Sequence, residues 1–370
     1  MKSLFLTSLI AFLSFFSLQA QEDGSGDSYL NKSWREVATA MPPEWYGSDE
    51  AKRVAENVLL TQKEVGGWEK NKPYHHIFSE EEKADFVKNM AQTGATFDNG
   101  ATTTELRFLV KVYTNINDER YKQAFERGLN YIFAAQYANG GWPQFFPFRE
   151  GVSVDYSAYI TYNDNAMVDV MQLLKEIYSD EEAYAAFQLD SEVKEKAQKA
   201  FEKGIECILK TQIIANGKQT VWCAQHDPVS LAPAKARSYE LESFSGGESV
   251  GIVDLLMDID HPSDDVVAAI NGAIKWFEAH KIEGIKLEKV TDKKGKENLV
   301  VVEDKAATPV WARFYDLETG KPFFCDRDGI KKSSLAEIGY ERRNGYAWYT
   351  EKPAALLKKY PDWEKKRNEE

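Results

Sequence analysis

Three stretches near the C-terminus set arginines beside aromatic rings: Trp311-Ala-Arg313-Phe-Tyr315, Phe323-Phe324-Cys-Asp-Arg327-Asp and Arg342-Arg343-Asn-Gly-Tyr346-Ala-Trp348. A guanidinium is a planar fork that pairs bidentately with a carboxylate, and an aromatic ring offers a face on which a sugar stacks. Upstream, Arg237 is followed by Tyr239 and Glu240 in a Pro-rich loop. For any one of these arginines an internal ion pair serves equally well, with Arg327 clamped by Asp326 and Asp328. Their recurrence favours a binding site for carboxylates.

A second set of polar residues recurs differently. Asp98, Asp164 and Glu248 each sit near the start of a stretch that opens polar and turns apolar: FDNGATTTELRFLVKVY (97–113), YNDNAMVDVMQLLKEIY (162–178) and SGGESVGIVDLLMDI (245–259). Each carboxylate alone reads as a helix N-cap. At corresponding places in a repeat they favour a shared cleft. Oxygen donors without a set of thiolates or histidines suit a hard cation, which outside the cell points to calcium. There is no EF-hand loop, so a calcium site must be assembled across the fold, with Asp98 and Asp164 as first candidates and Asn163 as a further ligand. His226 beside Asp227 could form an acid–base pair, but no serine in a nucleophile elbow completes a triad, and a hydrogen-bonding loop residue is the favoured role. His75 and His76 lack the HExxH spacing of a zinc hydrolase.

The elements that must position these groups form a repeat. AKRVAENVLLTQKEVGGWEKN (51–71) and YKQAFERGLNYIFAAQYANGGWPQF (121–145) run through an apolar helical stripe to a Gln and then to the Trp of Gly-Gly-Trp. AQKAFEKGIECILKTQIIANGKQTVW (197–222) repeats the pattern with a longer loop, and AAINGAIKWFEAHKIEG (268–284) is a weaker fourth copy. Periods of roughly 60 to 75 residues with two helices each predict stacked or circularly arranged hairpins. Segments apolar nearly all round, 166–174 and 250–257, are expected inside, and the charged 184–210 stretch outside. The expected architecture is mainly α: an α/α toroid, with the starts of the inner helices at one end, where unpaired N–H groups carry partial positive charge. Short β-strands and hairpins follow in the C-terminal part. Residues 286–304 read as a hairpin with a charged turn at 293–296, 309–334 as strand, Thr319-Gly320 turn and strand, and 342–360 as a turn and a last helix.

Residues 1–20, MKSLFLTSLIAFLSFFSLQA, read as a signal peptide cleaved after Ala20, leaving 21–370 as a single domain. That predicts export to the periplasm or beyond, with no membrane attachment after cleavage and a monomer as the default. A net charge of -13 argues against a nucleic-acid partner, so a polyanionic ligand would need a local arginine cluster or a bound cation. Cys207, Cys223 and Cys325 match no zinc spacing and are expected to be buried packing residues.

Taken together, DNGATT (98–103), GGWPQFFP (140–147), TYNDNAM (161–167), WCAQHDPV (222–229), ARSYELES (236–243), FCDRDG (324–329) and ERRNGYAWY (341–349) resemble a polysaccharide lyase family 10 pectate lyase, in order and over nearly the whole chain after residue 20. The resemblance implies an α/α toroid ((α/α)3 barrel), Ca2+ dependence and β-elimination on polygalacturonate. It implies Arg327 as the proton abstractor. It places Asp98 and Asp164 in motifs that hold calcium and substrate, and makes Arg237, Arg313 and Arg342 or Arg343 binders of galacturonate carboxylates, with Tyr346 beside them. The 286–304 hairpin matches no motif of the family.

An arginine base raises a difficulty, because its side chain stays charged far above neutral pH. The expectation is that Asp326 and Asp328 point away from the guanidinium and that the activity optimum is alkaline. Two other functions remain open at this point. One is a glycoside hydrolase using Asp98 and Asp164 as a carboxylate pair. The other is a protein that binds pectin fragments without cleaving them.

Overall fold

A glutamine and a buried tryptophan close each of the first three helical repeats. The computed structural model describes residues 28–369 apart from 180, 292 and 294; the segment read as a signal peptide and part of the charged turn lie outside the described residues. The helices in chain order are α1 (Trp34–Thr39), α2 (Asp49–Thr61), α3 (Glu80–Lys88), α4 (Thr103–Ile116), α5 (Glu119–Ala135), α6 (Ala166–Tyr178), α7 (Ser191–Thr211), α8 (Glu248–Met257), α9 (Asp264–Ala279), α10 (Tyr340–Asn344) and α11 (Lys352–Glu369).

At the end of α2 the Gln62 amide donates to Gly66 O at 2.7 Å and to Ala124 O of α5 at 2.8 Å. Gln136 repeats this with Gly140 and with Ala200 of α7, and Gln212 with Thr220 and with Ala269 of α9. Each glutamine thereby ties its own loop to the next outer helix. The ring N–H groups of Trp68, Trp142 and Trp222 return to the Val58, Ile132 and Ile208 carbonyls of their own helices. Glycines let the turns press close: at Gly66 (φ +104) or Gly140 (φ +93) a Cβ would strike the backbone oxygen of Arg127 or Lys203. Trp311 donates to Phe277 O at 2.9 Å, the same bond in the fourth copy. There the hairpin of Ile285–Thr291 and Glu297–Glu303 separates α9 from its tryptophan.

These ties bend the row of hairpins into an α/α toroid. Outer helices α2, α5, α7 and α9 pack on inner helices α4, α6 and α8, and α11 closes against α8 and α9. One apolar core runs from Ala38 to Leu356. A smaller cluster of Tyr239, Phe314, Phe323, Phe324, Cys325, Leu335, Ile338 and Trp348 lies under the C-terminal loops that carry the arginines. All three cysteines are buried and free.

The inner helices begin later than the sequence pattern suggests. Asn99 (φ 55), Asp164 (φ 50) and Asn165 (φ 61) are left-handed and hold the chain in short turns ahead of α4 and α6. At Thr102 (φ 68) a tight turn, with Thr103 N–H on Ala101 O at 2.9 Å, puts a β-branched residue in a strained conformation. The N-cap positions fall to Thr102, Asn165 and Gly247, none of which caps with its side chain. Asp98 and Asp164 are therefore not N-caps; they stand ahead of the helices, free for other partners.

The C-terminal part is more broken than expected. Trp311–Ala312 pairs with Tyr349–Thr350, Phe314–Tyr315 with Phe244–Ser245, and Phe324–Cys325 with Lys331–Lys332. The turn at Thr319-Gly320 is present, held by Asp316 Oδ1, which accepts from the Thr319 N–H at 2.9 Å. The extra helix α10 precedes the last one, and α11 runs on to Glu369.

Between α1 and α4, Trp34 Nε1 donates to Glu105 Oε1 at 2.6 Å, while Glu105 Oε2 is buried without a partner. Burial pushes this carboxyl up to about 7. The folded chain thus holds a proton that the unfolded chain releases nearer 4.5, so stability should fall as pH rises from about 4.5 to about 7. Glu105→Gln should flatten that part of the curve in urea unfolding; an unchanged slope would show that Glu105 does not carry it.

Candidate active site

The loops between outer and inner helices, and the loops over the smaller aromatic cluster, meet at the end of the toroid where the inner helices start. Arg313 leaves the short strand Trp311–Ala312 and points its guanidinium at that end. Its Nη2 lies 2.7 Å from Glu248 Oε1, 3.0 Å from Asn163 Oδ1 and 3.5 Å from Asp164 Oδ1. Glu248, the first residue of α8, also accepts the Asp164 backbone N–H on Oε2 at 3.0 Å. Burial, and then the Asp164 charge, push the Glu248 carboxyl up, while Arg313 works against them; Arg313 itself is held above the usual arginine range by Glu248 and then Tyr346, against its burial. A cavity of about 390 Å³ opens here, lined by Arg35, Asn99, Asp164, Glu248 and Arg313.

From Arg313 a row of cations and rings runs toward the loops. Arg313 lies 4.7 Å from the Tyr346 ring centroid, and Arg237 lies 5.7 Å from the same ring and 5.0 Å from that of Tyr239. Arg342 and Arg327 also lie over Tyr239, at 4.7 and 5.7 Å. Arg237 is fixed by Glu240 through a 2.7 Å bond from Nε and a second from Nη2, and the Tyr346 hydroxyl donates to Glu240 Oε1 at 2.7 Å. Arg342 is buried, whereas the Arg327 side chain is 64% exposed and pairs with Glu341. Asp326 accepts the Gly339 N–H and Asp328 the Ile330 N–H, so both aspartates serve other partners.

Asp98 is 2% exposed. Its Oδ2 pairs with Lys70, while Oδ1 is buried with no partner. Burial raises the Asp98 carboxyl, Lys70 opposes this, and the Asp164 charge adds to it, which ties the two aspartates to one locality. Among the described residues no three His, Cys, Asp or Glu side chains converge closely enough to cage a metal ion unaided. Still, an orphaned buried carboxylate oxygen beside Asp164 and Asn163 is an all-oxygen donor set that suits a hard cation whose remaining ligands come from water or a bound acid sugar.

The structure brings together Arg237, Arg313, Arg327, Arg342 and Tyr346 in one row, and Asp98, Asn163 and Asp164 at its inner end. It does not bring Arg343 there. That guanidinium is spent on Asn298 Oδ1 at 2.9 Å and on the Ala336 and Ile338 carbonyls, bracing the 285–303 hairpin. His226 is a loop residue: it accepts the Cys223 N–H on Nε2 and meets Leu231 O through Nδ1, and burial lowers it to about 4. Lys70 and Glu341 have no assigned role in the sequence and Tyr239 and Glu240 stand there without one, while Glu248, expected in a cleft shared with Asp98 and Asp164, is found on Arg313 and the Asp164 N–H. Their signal lay inside ARSYELES, ERRNGYAWY and the repeat, but their partners come from distant segments.

An α/α toroid with arginines alternating with aromatic rings at the inner-helix end defines a carbohydrate-active protein for acidic sugars. Residues 62–357 match the family model for pectic acid lyase, and the chain belongs to that family. It is a polysaccharide lyase, which sets aside the hydrolase and the non-cleaving binder. A search among curated proteins returned no match. The similar solved structures include two of the same lyase. One is the family 10 polysaccharide lyase from Cellvibrio cellulosa, with 32% identity over 86% of this chain and 94% of that one and a TM-score of 0.72. The other is an aspartate-to-alanine mutant of that lyase in complex with trigalaturonic acid, with 31% identity over 88% and 94% and a TM-score of 0.73.

Removing Arg313 leaves Glu248 buried without its cation. Arg313→Met should destabilise the fold by about 3–5 kcal/mol near neutral pH. The loss should shrink as pH falls and Glu248 takes up a proton. Denaturant unfolding at two pH values checks this; an equal loss at both would mean that packing, not charge, is what Arg313 supplies.

Proposed function

We propose that this lyase cleaves (1→4)-α-D-galacturonan, or polygalacturonate, by calcium-dependent β-elimination, releasing 4,5-unsaturated oligogalacturonides. The observation that carries the reading is the row of four arginines set against Tyr239 and Tyr346, which gives an acidic chain one place able to hold a polyuronate. The signal-like first twenty residues support export to the periplasm or the medium, with a monomer as the working form. No helix of the described residues is long and apolar enough to cross a membrane.

In this reading Arg237, Arg313 and Arg342 pair with galacturonate carboxylates, and Tyr346 and Tyr239 pack against the sugar rings. Arg327, the most exposed member of the row, takes the proton from C5. The electron pair left on C5 delocalises into the adjoining carboxylate, and the C4–O bond then breaks to form the C4–C5 double bond. The leaving oxygen is protonated by water. The C5 proton is weakly acidic because its carbanion adjoins a group already negative, so cations on that carboxylate provide the largest stabilisation. Asp98, Asp164 and Asn163 would hold Ca2+, which when bound withdraws further charge from the same carboxylate. The pair that a hydrolase would use is engaged instead: Lys70 holds Asp98, and Asp164 faces Arg313.

An arginine side chain yields its proton only far above neutral pH, so the rate should climb into the alkaline range. Polygalacturonate should develop the ultraviolet absorbance of a 4,5-unsaturated uronide with calcium and lose it with excess chelator. Arg327→Ala should lower the rate by at least about 100-fold, the lower end of what a positioned base contributes. Undiminished activity with chelator would remove calcium from the account, and an active Arg327→Ala would remove Arg327 as base.

A further inference from the structure

The third repeat departs from its two predecessors, and the departure builds a second cavity. Ten residues separate Gln212 from Trp222, where six separate Gln62 from Trp68 and Gln136 from Trp142. The added length forms a small hairpin, Ile214–Ala215 against Lys218–Gln219. Its turn, Asn216-Gly217, is left-handed at both residues (φ 51 and φ 72), as a tight two-residue hairpin turn requires. Gly272 lets this hairpin press onto the middle of α9, since a Cβ there would come within 2.6 Å of Gln219 Cβ. A third wall is the Thr319-Gly320 turn, which follows the Phe314–Tyr315 strand and so lies a few residues after Arg313.

The space between these walls is about 890 Å³, against about 390 Å³ beside Arg313. Buried Phe244 and Trp276 give it an apolar floor. The His280 ring lies on Trp276, with centroids 4.2 Å apart and planes 13° from parallel, and its Nδ1 is 2.7 Å from Trp276 O. A carbonyl only accepts, so Nδ1 carries the proton and Nε2, turned toward Gly320, is an acceptor. Burial lowers the His280 pKa, which leaves the ring neutral at pH 7.

The polar groups of this cavity are unspent. Lys218 projects from the hairpin and Lys275 from α9, and among the described residues neither has an ion-pair or hydrogen-bond partner. The Asn216 and Gln219 amides are equally free, and Asn271 uses only its Oδ1, on the Tyr360 hydroxyl. Glu318 is the one carboxylate among the lining residues. An apolar floor with a few convergent polar groups is the usual make-up of a ligand site. Ammonium groups call for carboxylates, and amides with an imidazole acceptor call for hydroxyls. A uronic acid sugar carries both.

We propose that this cavity is a second, non-catalytic binding site for a segment of the acid polysaccharide, with Lys218 and Lys275 meeting uronate carboxylates. The proposal rests on the reading of polygalacturonate as the substrate. A chain held here raises the local concentration of its remaining length at the arginine row, so the benefit belongs to long chains and not to short ones.

The test compares kcat/KM on trigalacturonate and on long-chain polygalacturonate for the wild type, Lys218→Ala/Lys275→Ala, and a control, Lys88→Ala/Lys122→Ala, that removes the same charge elsewhere. The first variant should keep the wild-type value on trigalacturonate and lose between about two- and thirty-fold on the polymer, the range that two exposed ion pairs supply. The control should keep both values. Added salt should bring the wild type and the first variant together on the polymer. An undiminished rate on the polymer, a loss of equal size on trimer and polymer, or the same loss in the control overturns the second site while the substrate reading stands. A wild type that yields no unsaturated product from polygalacturonate overturns that reading, and the second site with it.

Discussion

The carboxylate held against a guanidinium is the interaction on which the rest of this site depends. Glu248 fixes Arg313, Glu240 fixes Arg237, and Glu341 fixes Arg342 and Arg327. Each arginine would otherwise be a long, mobile side chain in a protein whose net charge is -13. Pairing uses part of each fork and leaves the remaining N–H groups and the stacked faces to meet an anion. It also resolves an apparent contradiction, since the acidity belongs to the chain as a whole while the cations are gathered along two tyrosine rings.

The toroid makes that gathering possible. Its glutamine and tryptophan ties hold successive outer helices at a fixed spacing, so the inner helices all start at one end. The left-handed turns at Asn99, Asp164 and Asn165 then push Asp98 and Asp164 out ahead of the helices, where an N-cap would have been consumed by backbone N–H groups. Strain at Thr102 sits beside Asp98, and a buried hydroxyl network of Thr102 with Trp68 N–H and Thr96 O supports it. The scaffold spends its irregular backbone where the carboxylates are needed.

Much of this was legible in the sequence because it rests on periodicity. The Gln and Trp positions, the apolar inner stretches and the arginine–aromatic motifs all repeat, and repetition survives without any knowledge of contacts. The fourth repeat was faint because the 285–303 hairpin pulls Trp311 away from α9. What stayed hidden depends on partners from distant segments: nothing local says that Lys70 meets Asp98 or that Glu341 meets Arg327. Arg342 and Arg343 are adjacent and chemically identical in sequence. Only the direction of α10 sends one to Tyr239 and the other to the hairpin. The turns before α4 and α6 were misplaced because apolar periodicity says nothing of left-handed residues at a helix start.

The central claim is that the chain breaks its substrate by elimination, with no water added across the cut. Digestion of polygalacturonate in heavy-oxygen water, followed by mass measurement of the fragments, tests it most directly. Elimination predicts a new non-reducing end one water lighter than a hydrolysed fragment, with no heavy oxygen incorporated at cleavage. Fragments of full hydrolytic mass carrying one heavy oxygen for each bond broken would contradict it.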